Sequence, residues 1–263
     1  MKRLLSIYSV CLLAGSCIFV SAEESINNGV VEPSNKSIHF FKSQVANNRS
    51  IGTALNSLLK RYPDKTAEFV AVAFAAYPDD YEEIISSSVS SNPNFIDEII
   101  MVATQHEVAS PTRIVEIAVN AEPSYAEDVT RAACKYSPLY FDEIVKIAVL
   151  TEPDSADRIA QRLVKAYPSK TMEILVTTIK EVPFVGKYVL DALLATVLDD
   201  EDKSNDMIII SVEQLAQHPD AIERLVELAQ QHQIDSEKVR SSALKGGLDE
   251  ASIAAIIERH YLD

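Results

Sequence analysis

The sequence predicts an all-α chain: an α-solenoid of about ten short helices with a 15-residue period, paired as 30-residue antiparallel hairpins and capped by a small C-terminal helical segment. Three observations carry this. Pro63, Pro78, Pro93, Pro123, Pro138, Pro153, Pro168 and Pro183 all stand on one fifteen-residue grid. Apolar residues recur at fixed places between them. Glycine is scarce, 6 in 263 residues, and tryptophan is absent. With few β-branched runs, that composition leans helical.

The chain opens with Lys2 and Arg3, an apolar stretch from Leu4 to Val20, and the small-residue pattern Val20-Ser21-Ala22. This is the pattern of a secretory signal peptide over 1–22, cleaved after Ala22. A retained anchor is the weaker reading, because the run is short for a span and carries serines. Ala14-Gly15-Ser16-Cys17 hints at a lipoprotein signal, but Leu13 lies one residue too far from the cysteine. No second long apolar segment follows, so the expectation is a soluble periplasmic or secreted protein.

Loss of the leader lowers Lys+Arg from 24 to 22 and leaves Asp+Glu at 39, a net charge of about −17. Such a surface should repel nucleic acid and anionic headgroups. Cys11 and Cys17 leave with the leader, and Cys134 remains alone without a disulfide partner. Residues 23–47 are polar and read as a flexible lead-in, closing with a short segment around His39-Phe40-Phe41.

Residues 48–197 hold the repeat. With the grid residue as position 1, position 7 reads Phe69, Ile84, Ile99, Ile114, Val129, Ile144, Ile159, Ile174 and Val189. Position 8 is mostly Val, Ile or Leu. Position 11 is usually small, as at Ala73, Ser88, Ala103 and Ala118, and position 12 is again apolar. Positions 7, 8, 11 and 12 share one helical face. Position 2 offers Asp64, Asp79, Asn94, Ser124, Asp154 and Ser169, which read as N-caps. Glu82, Asp97, Glu127 and Asp157, three residues on, resemble capping boxes or favour the helix N-terminus by charge. Each unit is then a helix of about eleven residues, about 16 Å long, plus a short turn. A proline at most grid points, usually followed by a capping residue, argues strongly against a continuous coiled coil of the same period. The arrangement is similar in architecture to the tetratricopeptide and HEAT class of helical repeats. Its thirty-residue hairpin is shorter than theirs and their signature residues are absent, so no functional residue is carried over.

Residues 198–206, LDDEDKSND, read as an acidic loop. Asp200, Asp202, Ser204 and Asp206 match four calcium-loop positions, but Asn205 replaces the turn glycine and Ser211 the final glutamate, so a solvated loop is the better reading. Residues 207–263 read as three further helices: a diverged unit after Pro219, a helix stopped at Gly246-Gly247, and an amphipathic end helix that caps the stack.

Chemistry is thin. His39, His106, His218, His232 and His260 are scattered, without ligand spacing. Cys134 falls in a core column, which suits a buried inert thiol. No nucleophile-base order, zinc pattern or phosphate loop stands out, so the chain reads as a non-enzyme without cofactor or metal. Tyr77, Tyr81, Phe95, Tyr125, Tyr140 and Phe141, near helix starts, are the candidate binding residues if several line one exposed edge; packing between helices is the plainer account. The function expected is an exported scaffold for a protein partner with a basic or mixed patch, not for nucleic acid and without membrane insertion. End-to-end self-assembly is the alternative, and an enzyme with an unrecognised site the least favoured one.

Overall fold

A computed structural model describes residues 33–48, 50–197 and 200–261. Residues 1–22, read from the sequence as a signal peptide, and residues 23–32 of the lead-in lie outside the described residues. Fifteen α-helices account for the fold, and among the described residues there is no strand. They are α1 (Asn35–Asn48), α2 (Ile51–Arg61), α3 (Thr66–Ala76), α4 (Tyr81–Ser91), α5 (Ile96–Gln105), α6 (Pro111–Ala121), α7 (Ala126–Tyr136), α8 (Phe141–Thr151), α9 (Ala156–Ala166), α10 (Thr171–Glu181), α11 (Gly186–Leu194), α12 (Glu201–Leu215), α13 (Pro219–Gln231), α14 (Ser236–Lys245) and α15 (Glu250–Tyr261). From α2 to α11 the helices begin fifteen residues apart, as the grid predicts.

Successive helices reverse direction, and each packs on the helix two along as well as on its neighbour. The odd helices form one rank and the even helices the other, with the connections alternating between two edges. The core lies between the ranks. Ile84, Ile85, Ile99, Ile100, Ile144, Val145, Ile174 and Leu175, the position 7 and 8 pairs, are fully buried. Burying such a side chain is worth about 1.5–3 kcal/mol, which is what holds helices too short to persist alone. Position 11 is buried and mostly small. Ala103, Ala118 and Ala148 fit there, and Ser88 and Thr178 donate to the carbonyls of Ile84 and Ile174 at 2.6 and 2.7 Å. Those buried hydroxyls are thereby satisfied.

The connections correct the capping assignment. Each grid proline opens a three-residue 3-10 turn, and the α-helix begins only at position 4. The residue before the proline is held out of the helical region, at φ −131° to −149° and ψ 59° to 79°. Its carbonyl accepts from the N–H of position 3: Phe95 N to Asn92 O at 2.9 Å, Tyr125 N to Glu122 O at 3.1 Å. The turn therefore leads the chain into the helix, and position 2 makes no side-chain cap. True caps appear where the grid lacks proline. Ser50 accepts from Thr53 N, Ser110 from Arg113 N and Asp200 from Lys203 N, each at position 3 of a unit starting at 48, 108 or 198.

Two further expectations change. The lead-in ends in a full helix, α1, because Ile38, Phe41 and Val45 form a helical stripe and Phe41 is completely buried. The acidic loop is mostly helix. Asp200 caps α12, Glu201 and Asp202 occupy its favourable first turn, and Ser204, Met207, Ile208 and Ser211 form its buried stripe. The C-terminal segment thus holds four helices rather than three. α12 packs between α10 and α14, and α13 between α11 and α15, so the two ranks continue to Tyr261.

Candidate functional site

One broad hollow lies on the outer side of the even rank. A shallow groove of about 630 Å³ runs between α2 and α4, lined by Thr53, Ser57, Lys60, Ser86, Ser87 and Ser91 among others. A second hollow of about 520 Å³ continues it to α6 and shares Glu83, Ser86 and Ala121. Gly52 and the serines leave this space, since longer side chains would fill it. A Cβ at Gly52 would stand 2.3 Å from Ser87 Oγ, and the Gly52 amide donates to Glu83 Oε1 at 2.7 Å.

The groove offers hydrogen bonding and little else. Ser57, Ser86 and Ser91 donate to the carbonyls of Thr53, Glu82 and Ser87 at 2.9, 2.8 and 2.5 Å, and Ser90 to Ala121 O at 3.2 Å. With their hydrogens so engaged, these hydroxyls keep acceptor capacity. Arg113 closes the far end, held by Glu82 and by Glu116 at 2.8 Å. No histidine or cysteine lines it, so no serine there has an imidazole or thiolate base beside it.

The six aromatic candidates do not form one row. Tyr77, Tyr81, Tyr140 and Phe141 flank connections on one edge, Phe95 and Tyr125 those on the other. Tyr77, Tyr81, Phe95 and Tyr125 are half-buried against the core. Tyr77 meets Phe41 edge to face at 6.1 Å. Phe141 is buried, edge to face with Tyr167 at 5.3 Å, with Lys170 Nζ 4.2 Å from its ring centre. Tyr140 alone of the six is well exposed, at 49 %.

The most exposed apolar side chains are others: Leu139, Phe184 and Tyr188, at 92, 67 and 55 %. Leu139 and Phe184 sit at position 2, a column that is mostly polar, and that departure is the sequence signal for them. Phe184 and Tyr188 join Pro183, His218 and Pro219 around a hollow of about 260 Å³.

Charge serves packing. Asp97 on α5 accepts from Tyr136 and from Lys135 at 3.0 Å, and Arg131 lies 3.3 Å away, all on α7. Burial alone would raise the Asp97 carboxyl; the hydrogen bonds of Tyr136 and Lys135 and the nearby cations outweigh it and hold it below its ordinary value. Further pairs join helices within a rank: Arg162–Asp128 at 2.8 Å, Lys146–Glu181 at 2.7 Å, Arg259–Glu223 at 2.7 Å. Burial pushes the Cys134 thiol up to about 12, which removes its thiolate at neutral pH. Among the described residues no three His, Cys, Asp or Glu side chains converge as a metal site. No described helix is long and apolar enough to cross a membrane.

Comparison with protein-family models, with curated proteins and with solved structures finds no match to this chain.

Proposed function

We propose that this protein is an exported helical-repeat scaffold whose even-rank groove holds an extended segment of a protein partner. The observation that carries the reading is the continuous polar trough across α2, α4 and α6, open along its length and lined by hydroxyls and Glu83. A trough of acceptors suits a backbone or basic side chains that bring donors. The short 15-residue unit fits the same reading, because a two-rank stack provides long surfaces rather than a closed cavity.

The test has two steps. Partners are captured from the cell envelope with the protein as bait, identified, and their binding to the purified protein is measured by calorimetry. Ser87→Arg and Ser91→Arg, which fill the groove from half-buried positions, should weaken binding about tenfold or more, while Leu139→Ser should not. Saturable binding unchanged by both arginine variants would remove the groove from the reading. Failure of any captured protein to bind saturably would remove the scaffold.

A further inference from the structure

The negative total charge, −15 over the chain, conceals a cationic end. Between Pro33 and Arg61 the sequence holds Lys36, Lys42, Arg49, Lys60 and Arg61, and no aspartate or glutamate. This is the first hairpin, α1 and α2, and among the described residues α1 is the terminal helix of its rank.

Elsewhere most cations are neutralised by a carboxylate nearby, as Arg113 is by Glu82, Arg162 by Asp128 and Lys146 by Glu181. Among the described residues Lys36, Lys42, Lys60 and Arg61 have no such partner; the pair nearest in sequence is Lys65 with Glu68. Two exposed aromatic rings lie in the same region, Phe40 on α1 and Tyr62 just after α2, at 47 and 40 % exposure. The Arg61 guanidinium stands 5.6 Å from the Tyr62 ring centre.

We propose that this hairpin docks the protein end-on to an anionic lipid surface, with headgroup phosphates meeting its lysines and arginine. A plane fits better than a shaped partner, because the cations are distributed over both ranks: Lys36 and Phe40 on α1 line one hollow together with Glu68, and Lys60 lies in the even-rank groove that Glu83 also lines. Lysine and arginine next to phenylalanine and tyrosine is a combination suited to the headgroup layer. The acidic remainder is repelled by the same surface, which turns the hairpin toward it. The repulsion of anionic headgroups expected from total charge thus applies to the body and not to this end. The inference does not depend on the groove or on a protein partner.

The experiment is co-sedimentation with lipid vesicles, using the chain as its host processes it, with its N-terminus read by mass spectrometry. Phosphatidylcholine vesicles are compared with ones carrying about 30 % phosphatidylglycerol at about 50 mM salt, where screening is weak. The protein should pellet preferentially with the anionic vesicles and lose that preference at about 500 mM salt. Each basic residue near the surface is worth about fivefold. The combined variant Lys36→Gln, Lys42→Gln, Lys60→Gln, Arg61→Gln should therefore partition about 600-fold less where all four residues meet the surface, and about fivefold less where only one does. Lys165→Gln, Lys180→Gln, Lys187→Gln, Lys203→Gln, on the body, should bind as wild type. Replacing Lys36, Lys42 and Lys60 by arginine should retain binding, which separates lost charge from lost folding. Equal pelleting with neutral vesicles, or equal loss in the hairpin and body variants, would overturn the proposal. Lipid-free self-association that the hairpin glutamines abolish, without vesicle preference, would assign the hairpin to a second copy and overturn it as well.

Discussion

Tyr136 on α7 donates its phenol hydrogen to the Asp97 carboxylate on α5, thirty-nine residues back, and so ties two helices of the odd rank together. The folded pKa of Asp97 lies below its ordinary value. A carboxylate depressed in this way stabilises the fold above its unfolded pKa, about 3.9, and loses that contribution as pH falls through the folded pKa. Asp97→Asn should therefore lower stability by about 1–2 kcal/mol near neutral pH, allowing for partial exposure. The difference between the two proteins should shrink below about pH 4. Urea midpoints measured from pH 7 to pH 2 check this; a difference that stays constant to pH 2 would contradict it.

The connections give a paired prediction. Ser110 accepts from Arg113 N, whereas Ser124 sits at position 2 after Pro123 and caps nothing. Ser110→Ala should cost about 1 kcal/mol. Ser124→Ala should stay within about 0.5 kcal/mol, as for ordinary surface changes. Equal losses would show that position 2 does cap its helix.

The repeat was legible because burial imposes it: positions 7, 8, 11 and 12 had to be apolar or small in every unit, so Ile144, Val145, Ala148 and Val149 could be placed in the core from spacing alone. The caps were not, since an aspartate or serine after proline has the same composition whether its side chain or the preceding 3-10 turn leads into the helix. The helices that flank the ten clear units were hidden too. α1 turns only Ile38, Phe41 and Val45 toward the core, with Phe40 exposed among polar residues, and the charges of Glu201 and Asp202 obscured the stripe that follows them. The groove was invisible because it arises between Thr53 and Ser87, which only the stacking of α2 on α4 brings together.

Grid point 108 carries valine, and its connection is built on a different plan. Val108 N reaches Ala103 O, and Glu107 takes the left-handed conformation, φ 49°. Glu107→Gly should raise stability by up to about 1 kcal/mol, because glycine adopts that region without a Cβ penalty. Val108→Pro, which completes the grid in sequence, should instead destabilise by about 1–3 kcal/mol. It removes the Val108 hydrogen bond and forces Glu107 out of the left-handed region. Thermal melts of both variants decide it; a stabilised Val108→Pro would show that the loop can adopt the common turn.

Cys134 should be silent in the folded protein. It is 1 % exposed and its thiol is pushed up to about 12. At pH 8 its modification by a bulky disulfide reagent should proceed only as fast as the repeat opens, and promptly in denaturant. Prompt stoichiometric labelling of native protein at pH 8 would place the thiol at the surface.

Ile144 tests the stack itself. It is fully buried between the ranks, and Leu139, five residues earlier on a connection, is 92 % exposed. Ile144→Ala should cost about 2–5 kcal/mol, and Leu139→Ala about 0.5 kcal/mol or less. Ile144→Asp places a charge where α6, α8 and α10 meet and should abolish cooperative unfolding of the repeat, since no cation lies in the core to pair with it. Each helix contacts mainly its neighbours within the two ranks, so the damage should be greatest around α8 and weaken toward both ends. Hydrogen exchange followed along the chain reads this gradient. Protection lost uniformly from α1 to α15 would mean that the stack unfolds as one unit, and an unchanged melt would contradict the buried position of Ile144.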